Sequence, residues 1–161
     1  MNVKSISSKK LPRLIKTLKK KRKRIVFTNG CFDLLHPGHM KLFKEAKKQG
    51  DVLIVGLNSD SSIKKIKNPH RPILSQKERI QLLSGIAFID YLTVFSEPDP
   101  LRLIKRITPD VLVKGGDWKK KDIIGGEFVE KNGGRIYRVK PEKGLSTTAL
   151  IDKIKRLQPG R

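Results

Sequence analysis

Short apolar runs alternate with amphipathic segments along this chain, which assigns it to the α/β class: three α/β/α layers around a mainly parallel sheet of about five strands. Two further observations support that assignment. The runs Ile25–Asn29, Val52–Leu57, Tyr91–Phe95 and Val111–Val113 are largely apolar or β-branched throughout, as in strands covered on both faces. Turn and cap residues follow them: Gly30, Asn58-Ser59-Asp60, Glu97-Pro98-Asp99-Pro100 and Lys114-Gly115-Gly116-Asp117.

Residues 1–24 form a basic N-terminal extension. Leu11, Leu14, Ile15 and Leu18 recur there at i, i+3, i+4 and i+7, predicting a short amphipathic helix packed on the domain that follows. That domain spans 25–158 and leaves a short tail, 159–161. Its first strand, Ile25–Asn29, ends at Gly30, where the backbone must turn. Pro37 suits the first position of a helix whose core face carries Leu42, Phe43 and Ala46. After the second strand, Val52–Leu57, residues 61–74 read as a short helix and then a basic loop. Ser75 and Glu78 form a capping box, opening a helix that carries Ile80, Leu82, Leu83 and Ile86. The third strand, Tyr91–Phe95, leads to a helix through Leu101, Leu103, Ile104 and Ile107, and then to the strand Val111–Val113. A helix around 123–131 and the turn Asn132-Gly133-Gly134 precede a strand through Ile136, Tyr137 and Val139. Ser146-Thr147-Thr148 start the last helix, with Leu150, Ile151, Ile154 and Leu157 expected to face inward.

With 161 residues, 37% of them hydrophobic, the chain can bury one core and is short for two. No apolar stretch reaches the roughly 18 residues of a membrane span, and no signal peptide is visible, so the expected location is cytoplasmic, without membrane insertion. Cys31 is the only cysteine, which excludes an internal disulfide. Its small side chain suits packing under a loop better than nucleophilic attack. The formal net charge is +22, and residues 1–24 supply half of it, with eleven Lys/Arg and no Asp or Glu. A solvated face, a field that gathers anionic substrates, and contact with RNA or acidic lipid all fit that run. No RNA-recognition motif, zinc knuckle or interleaved aromatic stripe accompanies it, so nucleic acid is an unlikely partner.

The chemistry concentrates in residues 30–39, GCFDLLHPGH. They turn the chain from a strand into a helix whose free amides and positive dipole end attract an anion, and His36 and His39 flank that anion. Helical zinc sites usually space histidines i and i+4, and no Cys/His cluster completes a shell, so no protein-held metal is expected. The GxGxxG of dinucleotide folds and the glycine-lysine-serine of a P-loop are both missing. Ligands of parallel sheets lie beyond the carboxyl ends of the strands. The histidine turn, the Asn58–Asp60 corner, the Lys114–Asp117 corner and the Ser146–Thr148 helix start can all reach one such crevice.

The pairing of a GxFDxxHxGH turn with a late hydroxyl-rich helix start resembles the cytidylyltransferase-like nucleotidyltransferase superfamily, over roughly Arg24 to Leu157. Within it the chain looks most like the D-glycero-β-D-manno-heptose 1-phosphate adenylyltransferases, through TNGCFDLLHPGH, VGLNSDSSIKKIKNPHRPI, PDVLVKGGDW and GLSTT. The resemblance implies a Rossmann-like fold. It also implies an enzyme that joins ATP to a heptose 1-phosphate, releasing diphosphate and ADP-heptose for the lipopolysaccharide core. Mg²⁺ would arrive mainly on the nucleotide. Related glycerol-3-phosphate cytidylyltransferases place an arginine shortly before GxSTT; here that stretch is Lys140-Pro141-Glu142-Lys143, which favours ATP over CTP. A cytidylyltransferase and a non-catalytic basic RNA-associated module stand as alternatives.

By this resemblance His36, His39 and Lys67 act on the phosphates, with Lys64 and Lys65 as rivals of Lys67. Gly30, Cys31, Phe32, Asp33, Lys114, Gly115, Gly116, Asp117, Ser146, Thr147 and Thr148 hold the nucleotide, with Asp33 ordering the turn. Arg71 and Arg79 are candidates for the substrate phosphate. Heptose enzymes are often fused to a sugar kinase, so a separate kinase is expected, and a homodimer is possible by analogy.

Overall fold

The computed structural model describes residues 4–116, 119–141, 144 and 146–157. Five strands, β1 (Ile25–Gly30), β2 (Val52–Asn58), β3 (Tyr91–Phe95), β4 (Val111–Gly115) and β5 (Arg135–Val139), form one sheet in the order β3-β2-β1-β4-β5. Every pairing is parallel. The helices are α1 (Leu11–Lys20), α2 (Pro37–Lys47), α3 (Asp60–Ile66), α4 (Gln76–Ser84), α5 (Leu101–Ile107), α6 (Gly126–Lys131) and α7 (Thr147–Leu157). This is the expected Rossmann-like α/β arrangement.

Side chains that alternate along each strand divide between two cores, one on each face of the sheet. Ile25, Phe27, Val52, Ile54 and Leu112 join Leu11, Ile15 and Leu18 of α1 and Leu103, Ile104 and Ile107 of α5. On the other face, Val26, Leu53, Val55, Leu57, Val111 and Val113 pack against Leu42, Phe43 and Ala46 of α2 and Leu83 of α4. The helix in the extension is therefore a structural part of the domain. Upstream of it the Ile6 amide donates to the Leu92 carbonyl and the Leu92 amide to the Lys4 carbonyl, so the chain start lines the free edge of β3.

The sheet opens where its order reverses. β1 and β2 stay in register from Ile25↔Val52 to Gly30↔Leu57. β1 and β4 share only Val26↔Val111 and Phe27↔Leu112, and then diverge toward their carboxyl ends. That divergence places a crevice at the switch point between the two halves of the sheet.

Several local expectations need correction. α6 begins at Gly126, after a short 3-10 turn at Lys120–Asp122, because Gly125 takes a left-handed backbone (φ 81°) that interrupts any earlier helix. Leu82 is 48% exposed although neighbouring Leu83 is fully buried, since the two point about 100° apart around α4. In α7 no residue is buried, and Ile154 and Leu157 are 53% and 72% exposed. The amphipathic period of that helix is present, but the face lies open instead of inward.

Candidate active site

The signature turn sits where β1 leaves the sheet. Phe32 adopts φ 43°, a left-handed backbone that costs a non-glycine residue about 1–2 kcal/mol, and its ring is nevertheless 4% exposed. The ring meets His39 edge-on at 5.3 Å and packs on Phe43 of α2 at 5.0 Å. His36 is the N-cap residue of α2, with extended backbone and no capping bond from its side chain; Pro37 follows at the first helical position. The two imidazoles stack with centroids 3.8 Å apart.

Both histidines have a buried Nδ1 without a hydrogen-bond partner. Two stacked imidazolium ions would repel, and burial disfavours each charge. His39 is accordingly lowered to about 4, by desolvation first and by His36 second. His36 is lowered by desolvation. A neutral imidazole carries one N–H donor, so each ring, set at the first turn of a helix, can offer an Nε2–H to an anion there.

Asp33 holds the turn to the basic loop that follows α3. Its buried carboxylate accepts from the Ile73 and Leu74 amides, each at 2.8 Å, and from Arg71 Nε at 2.8 Å. Thus Asp33 spends its oxygens on the chain itself, in agreement with an ordering role and against direct nucleotide contact. Arg71 remains 13% exposed at its side chain, at the rim of the turn.

Arg79 was expected to meet a substrate phosphate, and the structure corrects this. The residue is fully buried, with Nη1 donating to the carbonyls of Cys31 (2.6 Å) and Asn58 (2.9 Å), Nε to Leu74 (3.1 Å) and Nη2 to Asp60 (2.7 Å). A planar fork of fixed donors suits this simultaneous reach, and it leaves no open face for an anion. Arg79 therefore ties the histidine turn to the end of β2. Sequence reasoning missed its acceptors, although the polar Asn58–Asp60 corner marks the place.

Lys67 caps the C-terminus of α3 and is exposed. Its charge, together with those of Arg79 and Arg71, acts on Cys31, whose thiol is nevertheless raised by burial. Lys64 and Lys65, in the last turn of α3, are exposed as well. Across the crevice Lys114, near the end of β4, donates from Nζ to Asn29 Oδ1 at the end of β1. Enclosure lowers its ammonium to about 8. Gly115 pairs with Val139, and Gly116 takes φ 93°, a conformation that favours glycine where the chain leaves the sheet. Asp117 lies outside the described residues.

The hydroxyl cluster joins the same region. Ser146 Oγ accepts from the Ala149 amide at 3.0 Å and caps α7, while Thr147 Oγ1 donates to the Leu34 carbonyl at 3.4 Å. Thr148 is exposed. Histidine turn, lysine corner and hydroxyl helix start thus converge from β1, β4 and α7. Among the described residues no group of three His, Cys, Asp or Glu side chains could hold a metal ion.

The model of the cytidylyltransferase-like family matches residues 27–155. The chain belongs to that family. It is 49% identical over 146 residues to the bifunctional protein HldE of Helicobacter pylori strain HPAG1, covering 91% of this chain and 31% of the relative. The HldE of Geobacter metallireducens is likewise 49% identical, over 89% of this chain and 29% of that protein. The chain thus spans about a third of the length of these curated relatives. Among solved structures, a lipopolysaccharide core biosynthesis protein from Thermoplasma volcanium superposes with a TM-score of 0.61 at 28% identity, covering 75% of this chain and 98% of that one. Pantoate-β-alanine ligase from Francisella tularensis, at 19% identity and a TM-score of 0.61 over 96% of this chain and 80% of its own, shares the fold.

Proposed function

We propose that the chain is an adenylyltransferase that joins ATP and D-glycero-β-D-manno-heptose 1-phosphate into ADP-heptose, with release of diphosphate. The observation that carries the chemistry is the stacked His36–His39 pair at the start of α2, in the turn that follows β1. The choice of substrate rests on the match to HldE over most of the chain and on the resemblance of KGGDW and GLSTT to the heptose enzymes.

A phosphate oxygen of the sugar attacks the α-phosphorus of ATP in line, and the bond to the β-phosphate bridging oxygen breaks. Negative charge moves onto the leaving diphosphate and the outer α-phosphate oxygens. His36 and His39 donate to those oxygens, and the free amides at the start of α2 add to the same field. Lys67 and the outer guanidinium nitrogens of Arg71 approach from the loop, and Lys114 from the opposite wall. The amides around Cys31 and Phe32 and the Ser146–Thr148 helix start cradle the nucleotide. Acceleration comes from positioning and pre-set charge, since the attacking phosphate needs no proton removed.

Mg²⁺ carried on the nucleotide would neutralise part of the triphosphate charge. A sugar kinase activity supplies the 1-phosphate, and the enzyme works in the cytoplasm, as a homodimer. No helix among the described residues is long and apolar enough to cross a membrane. Diphosphate release from ATP and CTP, each with heptose 1-phosphate and glycerol 3-phosphate, tests the proposal. Turnover is expected only with the heptose ester, and release with glycerol 3-phosphate alone would overturn the substrate assignment.

A further inference from the structure

A second cationic concavity lies at the other end of the sheet. Lys19, Arg22, Lys23 and Arg24 line a cavity of about 380 Å³ together with Thr108, Pro109, Asp110 and Asn132. These residues flank the starts of β1 and β4, the same two strands whose far ends carry the histidine turn and Lys114. At about 3.3 Å per residue, the six residues of β1 separate the two places by about 20 Å. The cavity is within the size range of small-molecule sites.

Three features give it chemical direction. None of the four cationic side chains has a carboxylate ion-pair partner among the described residues. Asp110, the one acid in the lining, accepts the Ile25 amide at 2.7 Å. Arg22 occupies a left-handed position (φ 54°) in the turn that ends α1, where its amide donates to Lys19 and that of Lys23 to Leu18. Glycine is the usual residue in such a turn. Here the left-handed position carries a guanidinium instead.

The competing account is that the cations only complement helix ends. The C-termini of α1, α5 and α6 meet at this cavity, each equivalent to about half a negative charge. With Asp110 they offset only part of four full positive charges, so an attraction for anions remains. Lipid is disfavoured, because no large apolar side chain of α1 or α5 is exposed for insertion. Base stacking is disfavoured as well, for the lining has no aromatic ring.

We propose that this cavity is a second anion site, separate from the crevice, that takes a compact ligand with several phosphate charges. It does not depend on the adenylyltransferase reading.

Calorimetric titration of the full chain with inorganic triphosphate is the test. Two equivalents should bind, one in the crevice and one here, and K19Q/R22G/K23Q should weaken one of the two steps at least tenfold while leaving the other unchanged. The single variant Arg22→Gly separates the two accounts. If Arg22 serves a ligand, removing it should leave thermal stability equal or higher while triphosphate affinity falls at least threefold. Loss of stability with unaltered affinity would assign it to the helix ends and overturn the proposal. So would the absence of a second binding step, or a duplex RNA that binds this face and is not displaced by triphosphate.

Discussion

His36 and His39 stack at 3.8 Å with both Nδ1 atoms buried and unpartnered, so neither ring is positioned by a bond to the protein through that nitrogen. Packing holds them instead, His39 against the edge of Phe32. His39→Ala should therefore leave the fold intact while lowering turnover by about 10²- to 10³-fold, the scale for losing a donor aimed at transition-state charge. ATP affinity should change far less. Steady-state kinetics with a direct binding measurement separates the two effects, and near-normal turnover would remove His39 from the mechanism.

The depressed His39 makes the ligand-free protein sensitive to acid. Its folded value of about 4 lies below the ordinary 6.5, so between those values the unfolded chain binds a proton that the native state refuses. Stability from this site is complete above about pH 6.5 and declines as pH falls toward 4. Denaturation midpoints measured across that range should slope less in His39→Gln than in the parent. Parallel profiles would show that burial of His39 does not contribute.

Nucleotide selection follows from the resemblance at KGGDW and from the missing arginine before GLSTT. ATP should exceed CTP by at least about tenfold in kcat/KM, equivalent to roughly 1.4 kcal/mol. Competition between the two triphosphates for one heptose 1-phosphate pool measures the ratio directly. A preference for CTP would overturn the heptose assignment and leave the fold untouched.

Arg79→Met should behave as a structural lesion. Removing the guanidinium strips the carbonyls of Cys31, Asn58 and Leu74 and the Asp60 carboxylate of donors at one stroke. Leaving buried acceptors unpaired costs about 1–3 kcal/mol each when water cannot replace the donor. A loss of about 3 kcal/mol or more in urea denaturation is expected, with the histidine turn loosened. A variant of parental stability would mean that the clamp is dispensable.

The charge of the N-terminal extension should be separable from its packing. Replacing Lys19, Lys20, Lys21 and Lys23 by glutamine should keep kcat within about threefold, with any rise in KM largest at low salt. Deleting residues 1–9 is a different matter. It strips the contacts of Lys4 and Ile6 with Leu92 and the Lys4 Nζ bond to the Ile86 carbonyl, so it should lower the melting temperature.

Most of the scaffold was legible in the residues because burial on both faces leaves an apolar signature local enough to read. β1 through β5, the Ser75 capping box and the Pro37 start of α2 all follow from short stretches. What failed depended on distance. The fate of Arg79 is decided by three carbonyls and one carboxylate, from Cys31 to Leu74 in the chain, and no periodicity encodes such a meeting. The open face of α7 failed for the opposite reason. Its pattern specifies an apolar side but not what lies against it. The site was half legible: the histidine turn is contiguous, whereas the Asn29–Lys114 contact requires knowing that β1 and β4 are neighbours.

The short register between β1 and β4 also has a kinetic meaning. Beyond Phe27↔Leu112 those two strands no longer form a ladder, so the seam at the crevice is spanned by the Lys114–Asn29 side-chain bond. Fewer cross-strand bonds mean that the halves of the sheet can breathe apart there at less cost than anywhere else in its interior. Amides bordering this seam should exchange with deuterated solvent sooner than those of the fully paired β1–β2 ladder, and a bound triphosphate should slow them by stitching the two halves together.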